Sequence, residues 1–277
     1  MSTLVFPYSF RELLAAKKIP HDEDAILMTA SCARIVRALD EYLHFGGFPE
    51  NTGHAGRREY VSSVYRKVLE GDIITRRGIR NPVSLRLMVK KLAESVKDTI
   101  SYNRIVTSLK SIGVSMNTQT AIDYLSYMEE ACLVFPIHNW FSAFSERESV
   151  RKHYFMDTGL LSLFLLDKDP VLLENVVAVE LYRRHPVDLE EKVFFVKSAK
   201  TGLDIDFYLP GEQTLIQVSY SLEGSSRERE VKALSKAGRL MPEVRRFIII
   251  TFNESGKINA GNTGIEVIPA WKWLLER

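Results

Sequence analysis

The chain has 277 residues, 45% of them hydrophobic, with 37 Lys and Arg against 35 Asp and Glu. That suffices for one large or two modest globular domains, and a formal charge of +2 excludes a chain-wide polycation, so any attraction to polyanions must come from local clusters. Cys32 and Cys132 do not make a disulfide framework or zinc site and read as reduced core thiols, no apolar run approaches the roughly 20 residues of a membrane span, and residues 1–20 lack a secretory signal, so a cytoplasmic protein with no membrane partner is expected.

Residues 1–75 read as helical. "ILMTASCARIVRALDEYLHF" ends at Gly46-Gly47, where glycine supplies a left-handed cap and Pro49 bars continuation. A second helix is predicted over "RREYVSSVYRKVLEGDIITRR".

From Val83 to Cys132, apolar residues recur in steps of three and four: Leu85, Val89, Leu92, Val96; Ile105, Leu109, Ile112; Ala121, Leu125, Met128, Cys132. Gly113 can close the second helix, and Ser115 or Asn117 can cap the third. Beyond it, "CLVFPIHNWF" and "RKHYFMD" flank the polar tip "SAFSERES", as the strands of a hairpin would. Three helices and a hairpin make a winged helix-turn-helix, expected over 76–157.

Between Arg76 and Lys110 stand nine Lys or Arg against Glu94 and Asp98. Arg76, Arg77, Arg80, Arg86, Lys90 and Lys91 can engage phosphates, and Asn117, Thr118 and Gln119 open the helix that in such modules touches base edges. The competing reading is a protein-docking surface, since Asp123, Glu129 and Glu130 on the same helix would repel a duplex.

Residues 158–277 change texture. A helix is expected from an Asp169 cap and Pro170 through "VLLENVVAVELYRR", then the strands "KVFFV", "LDIDFYL", "TLIQVSY", "RFIIIT" and "IEVIP". Ser225 and Glu228 form a capping-box pattern before another helix. Strands alternating with helices predict a mixed sheet covered on both faces, making the chain α+β or α/β overall.

Chemistry concentrates in "LDIDFYLPGEQTLIQVSY". Alternation puts Leu203, Ile205 and Phe207 on one face and Asp204 and Asp206 on the other, with Gln217 and Ser219 together on the neighbouring strand. Asp206, Asp204 and Gln217, joined by Glu174 from the preceding helix, could offer oxygens to Mg²⁺ or Mn²⁺ for phosphodiester hydrolysis. A simply solvated acidic hairpin is the alternative. His138, His153 and His185 lack metal-ligand spacing, and Trp140, Trp271 and Trp273 read as packing residues.

The ordered segments "YLHFGGFPE", "DIITRRGIRN", "HYFMDTGLL", "LLENVVAVEL", "DIDFYL", "LIQVSY" and "VIPAWKWLL" together resemble the region that follows the ATPase module in a prokaryotic AAA-type ATPase family. The resemblance implies a last domain like the PD-(D/E)XK restriction endonucleases, with its acidic positions at Glu174, Asp206 and Gln217. Two departures stand out. Gln217 and Ser219 replace the acid and lysine of the third motif, so a cation would have to come from Lys197 or Lys200. A phosphate loop of the form G-x-x-x-x-G-K-S/T is absent, Gly256-Lys257 being the one Gly-Lys pair, so no ATP site is expected. The resemblance therefore implies a nucleic-acid or partner recognition part with a degenerate nuclease-like domain. A metal-dependent DNA nuclease, or a structural subunit pairing with a separate ATPase chain, are the alternatives.

Overall fold

The computed structural model describes residues 4–261 and 263–276, and the chain begins with helices as the apolar spacing predicts. Helices α1 (Phe10–Ala16), α2 (Glu23–Leu27) and α3 (Thr29–Phe45) precede α4 (Arg57–Arg66). α3 stops at Gly46, with φ of +70°. A Cβ there would lie 1.9 Å from Oδ1 of Asp157, so both the backbone and a buried carboxylate require glycine. The second predicted helix does not stay α-helical to Arg77. After Arg66 it widens into a π-helix over Lys67–Thr75 that keeps Leu69 and Ile73 buried. The stretch combines Gly71 with β-branched Ile73, Ile74 and Thr75, none of which favours the tighter turn.

Next come α5 (Pro82–Glu94), β1 (Ile100–Ser101), α6 (Tyr102–Ser111), α7 (Thr118–Glu130), β2 (Val134–Asn139), α8 (Phe144–Ser149) at the hairpin tip, and β3 (Val150–Phe155). The buried faces of α5 to α7 carry the apolar series read from the sequence except for Ile112 and Cys132, which lie past the ends of α6 and α7 and are exposed. Gly113 closes α6 at φ +81°, and Asn117 caps α7 by accepting the Thr120 N–H at 2.7 Å. β3 lies between β1 and β2 and runs antiparallel to both.

The remainder is α9 (Thr158–Ser162), α10 (Asp169–Arg184), α11 (Leu189–Lys192), β4 (Phe194–Ser198), β5 (Leu203–Leu209), β6 (Thr214–Val218), α12 (Ser225–Leu240), β7 (Arg246–Thr251), β8 (Gly256–Ala260), β9 (Thr263–Pro269) and α13 (Ala270–Trp273). β4, β5 and β6 run antiparallel, β6, β7 and β9 parallel, and β8 closes the edge antiparallel to β9. The fold is mixed α/β, as expected. β2 also pairs in parallel with β4, His138 opposite Phe194 and Asn139 opposite Phe195. One nine-stranded sheet therefore runs across the boundary expected at 157/158. The Asn139 side chain seals the junction, accepting the Lys197 N–H at 2.9 Å and donating to the Lys197 carbonyl at 2.8 Å.

Three local expectations are corrected. Asp169 is the first residue of α10 rather than its cap. The Ser225/Glu228 capping box does not form, because α12 starts one residue earlier than that pattern needs, from Gly224 at φ +58°. Cys132 is exposed at the end of α7, not a core thiol, and Cys32 is half-buried. Trp140 packs edge-on against Phe194 and Tyr208, and Trp271 and Trp273 are buried. Among the described residues no helix is long and apolar enough to cross a membrane.

Candidate functional site

Strand β5 carries the aspartates, and a β-bulge decides where they point. Phe194 of β4 lies opposite Tyr208, but Val196 lies opposite Ile205, so β5 holds one residue more than β4 across this stretch. Leu203 and Ile205 enter the apolar layer with α12, whereas Phe207 and Leu209 join the layer containing α10. The predicted shared face thus ends at Ile205. The extra residue turns Asp206 toward α10, where its carboxylate meets Lys152.

Glu174, on the second turn of α10, is fully enclosed. Its Oε1 accepts from the Tyr154 hydroxyl at 2.9 Å and lies 3.3 Å from Lys152 Nζ, and its Oε2 lies 3.1 Å from Lys97 Nζ. The same Lys152 Nζ is 3.5 Å from Asp206 Oδ1, while Asp206 Oδ2 accepts the Val218 N–H at 2.8 Å. Glu174 and Asp206 do converge, but around an ammonium. Lys152 and Tyr154 sit two residues apart on one face of β3, and the Lys152 ammonium lies 5.6 Å from the centre of the Phe195 ring. Asn175, next on α10, locks β3 in place: it accepts the Phe155 N–H at 2.8 Å and donates to the Phe155 carbonyl at 2.9 Å.

Electrostatics follow from this geometry. Burial would push the Glu174 carboxyl up, but Lys152, Lys97 and the Tyr154 hydroxyl outweigh it and hold it below the ordinary range. Burial would likewise lower Lys152, and the charges of Glu174 and Asp206 raise it instead. Asp206 is pushed up to about 6 by burial and by Glu174, against the pull of Lys152 and Lys97. Two carboxylates and two ammonium groups balance, the condition under which buried ions are tolerable.

Gln217 lies on the other face, with α12. Its Oε1 accepts the Asp206 N–H at 2.7 Å, and its Nε2 donates to Glu230 Oε2 at 2.7 Å and to the Asp204 carbonyl at 3.4 Å. The Glu230 carboxylate demands a donor, which fixes the amide's orientation. The expected Asp and Gln oxygens on a common face are replaced by an interlock: where β5 parts from β6, each side chain takes up a backbone bond of the other strand. Asp204 is exposed and 3.4 Å from Lys197 Nζ, and the Ser219 hydroxyl donates to the Ser221 carbonyl at 2.9 Å. Lys197 thus turns to Asp204 and Lys200 is exposed, so the site's cations come from Lys152 and Lys97. Sequence reasoning missed both. The available signal was a lysine two residues before a tyrosine, on one face of the strand "VRKHYF".

As arranged, these residues do not fit a Mg²⁺ or Mn²⁺ site, because both Glu174 oxygens and the Gln217 oxygen are engaged within the chain. What the parting of β5 and β6 does open is a cavity of about 580 Å³, lined by Lys97, Asp204, Asp206, Gln217 and Glu230 and by Arg229, Lys232 and Lys236 of α12.

In the basic stretch that opens at Arg76, Arg77 pairs with Glu130 and lies over Tyr127, Arg86 pairs with Glu70, and Lys91 with Glu94. Arg76, Arg80 and Lys90 stand exposed. Asn117 is the cap of α7, the Thr118 hydroxyl meets Asn103 at 3.2 Å, and Gln119 donates to Asp123 at 2.8 Å. The three expected base readers are therefore each engaged inside the chain.

A family model described as a domain of unknown function (DUF8612) matches residues 36–170, from within α3 to the start of α10. The chain is 31% identical over 290 residues to uncharacterized protein MJ1544 of Methanocaldococcus jannaschii, covering 99% of this chain and 63% of that protein. It is 25% identical over 282 residues to an uncharacterized protein of Haemophilus influenzae, covering 98% and 64%. The chain thus spans less than two thirds of the length of these curated relatives. No solved structure matches it.

Proposed function

We propose that this chain is the nucleic-acid-recognition part of a prokaryotic AAA-type ATPase, in which a nuclease-like α/β unit binds without cleaving. The observation that carries the reading is the Lys152 ammonium, 3.3 Å from Glu174 and 3.5 Å from Asp206, where a hydrolase would hold a divalent ion. Lys97 occupies the remaining Glu174 oxygen. The exposed Arg76, Arg80 and Lys90 support contact with a phosphate backbone rather than base reading.

Nucleotide hydrolysis is assigned to another module or a separate ATPase chain. Gly256-Lys257 begins the edge strand β8, not the strand-to-helix loop that cradles phosphates. More than a third of each curated relative lies outside its match to this chain, which is where such a module would be sought.

Metal-dependent cleavage is the second reading, favoured by the Asp206 carboxylate at the cavity wall. Thermal unfolding with and without Mg²⁺ or Mn²⁺, combined with a duplex-cleavage assay, separates the two. The expected result is the same midpoint with and without metal for both wild type and Asp206→Ala, and intact DNA. A metal-dependent rise and cleavage, both lost in Asp206→Ala, would replace the recognition reading with a nuclease.

A further inference from the structure

We infer that the cavity between β5, β6 and α12 is a phosphate-binding site shared by the two halves of the chain, in which Lys97 leaves Glu174 for the ligand while Lys152 and Tyr154 stay on Glu174. The inference rests on the recognition reading and adds to it the site, the ligand class and the residue that joins them.

Three observations converge. α12 presents Arg229, Lys232 and Lys236 to the cavity at steps of three and four, one stripe of a helix. Lys236 also reaches toward the turn before β5, where a Cβ on Gly202 would come within 3.2 Å of its ammonium. The carboxylates lining the same space are already engaged: Asp204 by Lys197, Asp206 by Lys152 and the Val218 N–H, Glu230 by Gln217 and Arg229. Lys232, Lys236 and Lys97 remain as the cations most open to an incoming anion.

Lys97 differs from Lys152 in the property that matters. Its side chain is 36% exposed, whereas Lys152 is 1% and Glu174 0% exposed. A phosphate oxygen in the cavity competes with Glu174 for the Lys97 ammonium, while Tyr154 and Lys152 remain on Glu174 Oε1. Since Lys97 belongs to the loop between α5 and β1, occupancy of the cavity is felt by the winged-helix segment directly. Phosphate groups of this kind come from a polynucleotide backbone or from a free phosphate compound, and the chemistry of the contact is the same.

The test uses the whole chain with a short fluorescent single-stranded oligonucleotide as probe and inorganic pyrophosphate as competitor, across a salt series. Lys97→Gln is expected to weaken binding several-fold at low salt and to flatten the slope of log K against log salt by about 0.7, one phosphate contact on a single strand. Lys97→Arg restores the slope, which a merely structural role would not require. The double variant Lys232→Gln/Lys236→Gln, on an open helix face, weakens binding independently of the buried network. Displacement by pyrophosphate assigns the site to free phosphates as well; Lys97-dependent binding that pyrophosphate leaves intact assigns it to the polynucleotide. Binding that ignores the Lys97 and α12 variants yet is lost in Arg80→Gln/Lys90→Gln overturns this site and leaves the recognition reading standing. Absence of oligonucleotide binding in the wild type overturns both.

Discussion

Lys152 shows how much a single side chain can decide. Its ammonium bridges Glu174 and Asp206 from β3, a strand that the sequence reading assigns to a different module from either carboxylate. Removing one partner of a buried ion pair strands the other. Lys152→Met is therefore expected to cost about 3–5 kcal/mol in urea unfolding, while Lys152→Met/Glu174→Leu recovers part of that because the fully enclosed Glu174 charge goes with it, Asp206 keeps the Val218 N–H, and the partly exposed Lys97 can turn to solvent. A double-variant loss equal to the sum of the Lys152→Met and Glu174→Leu losses would show that the pair does not interact. Gln217 teaches the same lesson in reverse: a residue that reads as a weak ligand is a hydrogen-bonded brace between Asp206 and Glu230. Residue types were legible in the sequence. Their partners were not, because Lys152 and Asp206 are more than fifty positions apart.

At the scale of elements, apolar periodicity located α3, α5, α6 and α7 and strands β2 to β7 and β9, but not the two-residue β1 or the edge strand β8. Exceptions arose where the backbone departed from the regular repeat. Nothing in "LDIDFYL" signals an extra residue against β4, yet that bulge turns Asp206 toward Glu174. Similarly, the π-helix after α4 reflects Gly71 and β-branched neighbours acting under packing constraints. The start of α7 offers a direct check on the division between structure and recognition. Asn117→Ala removes the cap on Thr120 and is expected to cost about 1 kcal/mol of stability, read as a lower urea midpoint. Duplex affinity well below the unfolding temperature should stay unchanged, whereas a loss of affinity would restore Asn117 as a base contact.

For the whole molecule, long-range polar clamps tie the N-terminal helices to the segment that follows β3. Asp157 lies between distant segments, accepting the Gly47 N–H at 2.7 Å and the Gly159 N–H at 2.8 Å, with Gly46 pressed against it. Burial pushes its carboxyl up to about 6 despite those bonds. The sign follows: a carboxyl raised from 3.8 in the unfolded chain favours the fold when protonated, so its contribution is full below about pH 4 and is lost as pH rises through 6. Asp157→Asn cannot titrate, and its urea midpoint should vary less between those values than that of the wild type. Part of the slope should persist through Asp206, which is raised into the same window. An identical pH profile for wild type and variant would refute the shift.

The sequence by itself determined the mixed α/β class, the helix and strand periods, a cap at Ser115 or Asn117, the glycine stop at Gly46 and the candidacy of Glu174 and Asp206, because all of these depend on neighbours within a few turns or on alternation along a strand. Tertiary structure alone decided that β2 would join β4 into one sheet, that a bulge would reorient Asp206, and that Lys152 and Lys97 would sit where a metal was expected. Those outcomes depend on which distant surfaces meet, and a buried charge acquires its chemistry only from the partners that the fold brings to it.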